Sequence, residues 1–252
     1  MISKTRLLLL ILLATLLVYG ALNLDFGRIS AAESPAIYAS PPAMREDPTS
    51  AIGTNFTYSV YTDYAGADIW GYEFTLTFNP NVLEGVEVVN GNLIIEDVGP
   101  TMWSEGTFNN TDGTLSLTGN GFFALPPADP PVTSGPGILA NVTFTVVGYG
   151  ISNIALGDDT RLIGYDSILG NFNIIDDTLI GHMEGGIFYS LIPGDIDGDG
   201  YVGSADAGVL NGAYGSYEGD ALYTLETDFD LDGYIGSADA GILNGAYGTS
   251  YT

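Results

Sequence analysis

Between Asn55 and Ser190 apolar and polar residues alternate with a period of two. Trp70, Tyr72, Phe74, Leu76 and Phe78 are separated by Gly71, Glu73, Thr75 and Thr77. Ile138, Ala140, Val142, Phe144 and Val146 repeat the pattern around Leu139, Asn141, Thr143 and Thr145, and Phe56, Tyr58 and Val60 give a shorter case. Successive side chains of a strand point to opposite faces, so each run predicts a strand with one apolar and one polar face. Such strands form antiparallel sheets that cover a core on one side. Asn79-Pro80, Asn90-Gly91, Asp112-Gly113 and Ser134–Gly137 separate the runs as turns. No segment here has helical periodicity, so the pattern predicts a β-sandwich or jelly roll. Trp70, Tyr72 and Phe74 are expected in the core, whereas the pattern does not place Trp103, in Thr101–Glu105. Leu125–Pro131, with four prolines, is expected to be a stiff surface connection.

After Ser190 the pattern changes. Leu191–Pro193 leads into DIDGDGYVGSADAGVLNGAYG (Asp195–Gly215), which returns as DFDLDGYIGSADAGILNGAYG (Asp228–Gly248), 33 residues later. Counted from its first aspartate, each stretch has carboxylates at positions 1, 3, 5 and 12: Asp195, Asp197, Asp199 and Asp206, then Asp228, Asp230, Asp232 and Asp239. Glycine at position 6 (Gly200, Gly233) permits a sharp turn, and Tyr201 and Tyr234 at position 7 would offer backbone carbonyls. Calcium is a hard cation that takes six to eight oxygens, and this spacing wraps one segment around one ion. Two Ca2+ ions are therefore expected. The helix-loop-helix pattern has Glu at position 12, where both loops here have Asp. The following helix must therefore approach more closely.

Composition extends this picture. The chain has 252 residues, 31 acidic against 5 basic, a formal net charge of −26, and no cysteine. Disulfides and thiolate metal sites are excluded. Lys4, Arg6 and Arg28 lie near the N-terminus, which leaves only Arg45 and Arg161 beyond it. Such a chain repels nucleic acid and attracts divalent cations. Lys4 and Arg6 precede an apolar run from Leu7 to Leu24, and Ser30-Ala31-Ala32 supplies small residues for cleavage. Residues 1–32 thus read as a signal peptide, or as an anchor if retained, the one case in which the membrane is a partner. Either reading places the chain at the cell surface or outside the cell.

Two calcium loops, each followed by one helix, resemble a type I dockerin, the module that plugs into cohesin domains in cellulosome-like assemblies. Gly71–Leu83 and Gly137–Val146 are similar to cohesin strands. The resemblance implies a mainly β chain in three parts. Residues 1–32 are the targeting segment, 33–190 a cohesin-like β-sandwich, and 191–252 a small α-helical dockerin-like module of two EF-hand-like loop-helix repeats. It also implies partner contacts at Ser204-Ala205 and Ser237-Ala238, with Leu210 and Leu243 on the helices beside them. The Lys/Arg often found in dockerin helices is absent. The expected function is non-catalytic assembly with cohesin- or dockerin-bearing proteins, copies of this chain included. The alternative is a carbohydrate-binding or adhesion protein, with polysaccharide as partner and an exposed platform drawn from Trp70, Trp103, Tyr72 or Phe123. No catalytic signature accompanies either reading, and His182 has no evident partner.

Overall fold

Val, Ile, Phe, Tyr and Thr dominate the alternating runs, and these residues suit a pleated, half-buried surface. The computed structural model describes residues 37–64, 69–123, 131–166, 170–175 and 183–251. The targeting segment and its cleavage site, most of Leu125–Pro131, and His182 lie outside those residues. The first strands are β1 (Ile37–Ser40), β2 (Ala43–Glu46) and, after the single turn α1 (Pro48–Ala51), β3 (Asn55–Thr62), β4 (Ile69–Thr77) and β5 (Leu83–Asn90). Then come β6 (Ser104–Asn109), β7 (Thr114–Gly121), β8 (Gly137–Val146), β9 (Gly150–Leu156) and β10 (Arg161–Asp166). β11 (Asn171–Ile174), β12 (Met183–Glu184) and β13 (Gly186–Ser190) complete the strands, and helices α2 (Ser204–Ala213) and α3 (Ser237–Ala246) follow.

The strands form two sheets. One has five strands in the order β12-β1-β3-β8-β5. The other has eight: β11-β10-β4-β9-β13-β2, with β7 also paired to β4 and β6 to β7. All pairings are antiparallel except β1 with β12 and β2 with β13. Two of the chain's crossings between the sheets, from β1 to β2 and from β12 to β13, therefore lie at neighbouring places. The apolar faces meet in one core that includes Tyr58, Tyr72, Phe74, Leu76, Val142, Phe144 and Phe188. Phe56 stacks on Phe188 with ring centroids 4.2 Å apart, and Phe78 meets Phe144 edge-on at 5.2 Å.

Two predicted alternations slip by one residue, and a β-bulge causes each slip. Between β4 and β10 the register runs from Gly71↔Ile163 to Ile69↔Gly164, so Trp70 has no opposite residue. Ile69 is buried in its place, and Trp70 is only half-buried, against Phe172. Between β3 and β8 the register steps from Val60↔Ala140 to Tyr61↔Ile138, leaving Leu139 as the extra residue. Leu139 is buried, and Ile138 is half-exposed. A bulge inserts one residue into one strand and thereby reverses the in-out order beyond it.

The core also holds a polar knot. The Tyr72 hydroxyl has one proton to share between the Leu139 carbonyl, across the sandwich, and Asn90 Oδ1 at 3.0 Å. Asn120 Nδ2 donates to the same Asn90 Oδ1 (3.1 Å) and to the Ile94 carbonyl (3.3 Å). Burial holds the Tyr72 phenol far above its ordinary range, so it stays a neutral donor. Tyr72→Phe removes a donor from two acceptors that each keep another, Gly91 N on the Leu139 carbonyl (2.8 Å) and Asn120 Nδ2 on Asn90 Oδ1, and is expected to cost about 0.5–1.5 kcal/mol. Phe144→Ala, which opens a cavity, should cost about 3–5 kcal/mol. Denaturant unfolding of the two variants checks both the size and the order.

Candidate functional site

In each loop the position-1 carboxylate turns inward and collects backbone N–H groups. Asp195 is buried and accepts from Gly198 N (2.9 Å, to Oδ1) and Gly200 N (3.0 Å, to Oδ2). Asp228, also buried, accepts from Asp232 N (3.2 Å) and Gly233 N (2.9 Å). The chain must reverse sharply to present these amides. Gly200 and Gly233 accordingly adopt φ +85° and +81°, a conformation glycine enters without steric cost.

Asp195, Asp197 and Asp199 each bring a carboxylate oxygen within 4.8 Å of the others, and Asp228, Asp230 and Asp232 do the same. Tyr201 and Tyr234, the position-7 residues, each sit in an isolated β-bridge. In the bridge between Tyr201 and Ser250 the ladder bonds run through the flanking residues, Val202 N to Thr249 O (3.0 Å) and Tyr251 N to Gly200 O (2.8 Å). The Tyr201 peptide groups therefore point away from the pairing strand and into the loop. Its N–H reaches Asp199 Oδ1 at 2.8 Å. Tyr234 is placed identically by its bridge to Tyr217, and its N–H donates to Asp232 Oδ1 at 2.8 Å. All these donors are hard oxygens, the set that suits Ca2+.

Asp206 and Asp239 occupy a different place. Both are buried and lie outside the three-carboxylate groups. Asp206 Oδ2 accepts from Gly203 N (2.7 Å) and Oδ1 from Ile196 N (2.7 Å). Asp239 accepts from Gly236 N (2.8 Å) and Phe229 N (2.7 Å). Each thus ties the first turn of its helix to the start of its loop, as an acid at the third helical position does for free N-terminal amides. Their remaining lone pairs leave them able to close an ion site.

The two repeats form one body with pseudo-twofold symmetry. Loop one pairs with residues after α3, and loop two with residues after α2. The core contains symmetry-related pairs 33 residues apart: Ile196 and Phe229, Val202 and Ile235, Leu210 and Leu243. Leu210 and Leu243 are 5% and 2% exposed, so the sequence expectation that they face a partner is corrected. They hold α2 against α3 and show only an edge in the groove between the helices. Ser204, Ala205, Ser237 and Ala238 are exposed.

On the sandwich, the outer face of the eight-stranded sheet carries an apolar ridge. Tyr165 lies opposite Phe172 and Ile163 opposite Ile174 across β10 and β11, on the side away from buried Leu162. Trp70 packs against Phe172 with the rings tilted by 58° and their centroids 4.5 Å apart. Beside them a cleft is lined by Trp70, Glu73, Met102, Leu117, Asp159 and Arg161, with Glu73 and Arg161 ion-paired across strands. Leu117 is 76% and Phe172 53% exposed. The other sheet presents polar pairs outward: Thr57 with Thr143, Ser59 with Asn141, and Asn55 with Thr145. Of the proposed aromatic platform, Tyr72 is buried, Trp103 is packed against the core, and Phe123 is exposed.

Sequence reasoning missed the contact between the sandwich and the repeats. Arg45 of β2 lies 4.0 Å from the Tyr189 ring centroid and 5.4 Å from that of Phe229, and donates to the Leu225 carbonyl. Tyr149 stacks on Tyr251 at 4.6 Å. Burial lowers the Arg45 pKa from its ordinary value, while Tyr189, Glu226, Asp228 and Asp239 oppose that shift. A signal existed, since Arg45 is one of two basic residues beyond the N-terminal segment. No described helix is long and apolar enough to cross a membrane.

Residues 46–157 match the family model for the cohesin domain. No curated protein sequence matches the chain. Among solved structures, the chain is similar to the third cohesin of ScaC from Acetivibrio cellulolyticus, solved in complex with the ScaB dockerin. That match has 13% identity, covers 62% of this chain and 97% of that one, and has a TM-score of 0.44. A non-cellulosomal cohesin from the archaeon Archaeoglobus fulgidus matches at 19% identity, 62% and 89% coverage, and TM-score 0.42. CaCohA2 from Clostridium acetobutylicum matches at 18%, 62% and 90%, and 0.41.

The loop carboxylates carry a pH signature. Desolvation raises the pKa of Asp195, helped by Asp206 and Asp199 and opposed by the N–H groups of Gly200 and Gly198. Desolvation also raises Asp230, helped by Asp239 and Asp232. A raised folded-state pKa means the folded form binds protons more readily than the unfolded chain. Stability is then greatest at low pH and is lost as pH rises through the raised values. With chelator present, this contribution is expected to make the repeats melt at a higher temperature near the ordinary carboxylate value of about pH 4 than at about pH 7, and calcium should abolish that difference. Far-UV circular dichroism of the helical signal measures it.

Proposed function

We propose that this chain is a secreted, non-catalytic assembly protein. Its sandwich binds dockerin-type modules of partner proteins, and its own C-terminal repeats fold around two Ca2+ ions and plug into cohesin-type partners. The single observation that carries this reading is the cohesin-domain match over residues 46–157, which falls on the sandwich. The outer face of the eight-stranded sheet is the partner surface in this reading. Its apolar side chains are exposed together, whereas the other outer face sets three hydrogen-bonded polar pairs among its apolar groups Tyr38, Tyr61 and Val89. A contiguous exposed apolar patch with a polar rim is how protein-binding surfaces are built. The clustered oxygens of each loop support calcium. The exposed Ser204-Ala205 and Ser237-Ala238 pairs are the partner contacts of the repeats. With both halves on one chain, copies can join head to tail.

A saccharide-binding face is favoured by one feature, the cleft in which Trp70 lies beside Glu73, Asp159 and Arg161. The same reagents separate the two readings. Calorimetry on the full chain should give two Ca2+ per molecule. Immobilised chain should retain dockerin-bearing proteins, and Leu117→Asp or Phe172→Asp should weaken that binding at least about tenfold without lowering thermal stability. Retention of polysaccharide but of no protein would favour the second reading. Sedimentation at high concentration, with calcium and with chelator, tests association between copies, and a strict monomer in both would exclude it.

A further inference from the structure

Near-identical loops imply near-identical sites, but the structure surrounds them differently. Loop two has three features that loop one lacks. Arg45 reaches in from the sandwich, with its guanidinium over Phe229 at loop position 2 and Asp228 and Asp239 among the charges acting on it. Tyr223 donates its hydroxyl to Asp228 Oδ2 at 2.8 Å, while the residue 33 places earlier is Ser190. Leu231 occupies position 4 at φ +59°, where loop one has Gly198 at φ +73°. A leucine in the left-handed region is strained in a way that glycine is not.

We propose that the two loops are cation sites of unequal affinity, and that Arg45 makes loop two the weaker. By linkage, filling loop two loosens the repeats from the sandwich. This rests on the calcium reading of both loops. Arg45 stands as a counter-charge to Glu226, Asp228 and Asp239 when no ion is bound, and a divalent cation placed among the last two repels it. The guanidinium remains charged despite burial, and stacking on two aromatic rings limits its freedom to withdraw. Coupling between an ion site and a contact is reciprocal: whatever Arg45 takes from calcium affinity, calcium takes from the Arg45 contact. Loop one, with no basic side chain among the groups acting on Asp195, meets no such competitor.

The test is a calcium titration of the full, calcium-depleted chain followed by the backbone amide NMR signals of Gly200 and Gly233, which report each loop separately. Gly233 is expected to respond at roughly tenfold higher calcium than Gly200, and Arg45→Met should narrow that gap by most of this factor. A second measurement needs no substitution. The rate at which phenylglyoxal modifies Arg45, read by mass spectrometry against Arg161 as internal reference, should rise several-fold as Gly233 titrates. Coincident titration of the two glycines overturns the inequality. A gap that Arg45→Met leaves unchanged, or an Arg45 reactivity indifferent to calcium, overturns the role of Arg45. If neither glycine responds to calcium, the ion reading itself fails, which is a distinct result.

Discussion

The C-terminal part of this chain has to fold around carboxylates with almost no cations to balance them. Eight aspartates stand at fixed places in two loops, and the region after Ser190 contains no lysine or arginine. Of the eight, the four at positions 1 and 12 are buried. The charge of those four is met by the peptide backbone, whose N–H groups converge on Asp195, Asp206, Asp228 and Asp239. That solution dictates the local structure. Amides can converge only if the chain reverses, which requires positive φ at position 6, and the acid at position 12 must start a helix. A hydrogen bond to an ionised acceptor is roughly twice as strong as a neutral one, so these loops are organised even though their charges repel.

The sandwich faces an easier problem. Its described acids lie at least partly exposed, and its core is mainly apolar, with the knot around Tyr72, Asn90 and Asn120, in which each member has a partner, and a few buried hydroxyls such as Thr62, Thr118 and Ser152. The two parts are joined by more than a linker. Leu191 and Ile192 are buried, and Ile192 belongs to the core of the repeats. Arg45, one of two basic residues beyond the N-terminal segment, lies where the two parts meet. In a chain so acidic, the location of each cation is informative.

Much of this was legible in the residues because it rests on periodicity and spacing. The two-residue alternation gave the strands, and the aspartate spacing gave the loops. What was hidden depends on register. Nothing in the run from Trp70 to Phe78 reveals that β4 bulges at Trp70, since the extra residue is defined by its neighbour β10. Leu139 was concealed for the same reason. The misplacement of Leu210 and Leu243 has another cause. An apolar residue on a short, glycine-rich helix can face a partner or a second helix, and only the pairing of α2 with α3 decides. Position 4 was within reach: aligning the repeats sets Leu231 against Gly198, and a residue replacing a glycine in a tight loop invites a question about φ.

The crossed bridges of the repeats bear on what counts as a unit. Tyr201 meets Ser250 and Tyr234 meets Tyr217, so each loop is completed by the stretch that trails the other repeat's helix. The 33-residue motif is the unit of the sequence, but it is not the unit of folding. A single copy would have a loop with no strand to lean on and half of a core. Duplication here did not place two finished objects side by side. It made one object from two halves that have no separate structure to fall back on, so their order must appear and disappear together.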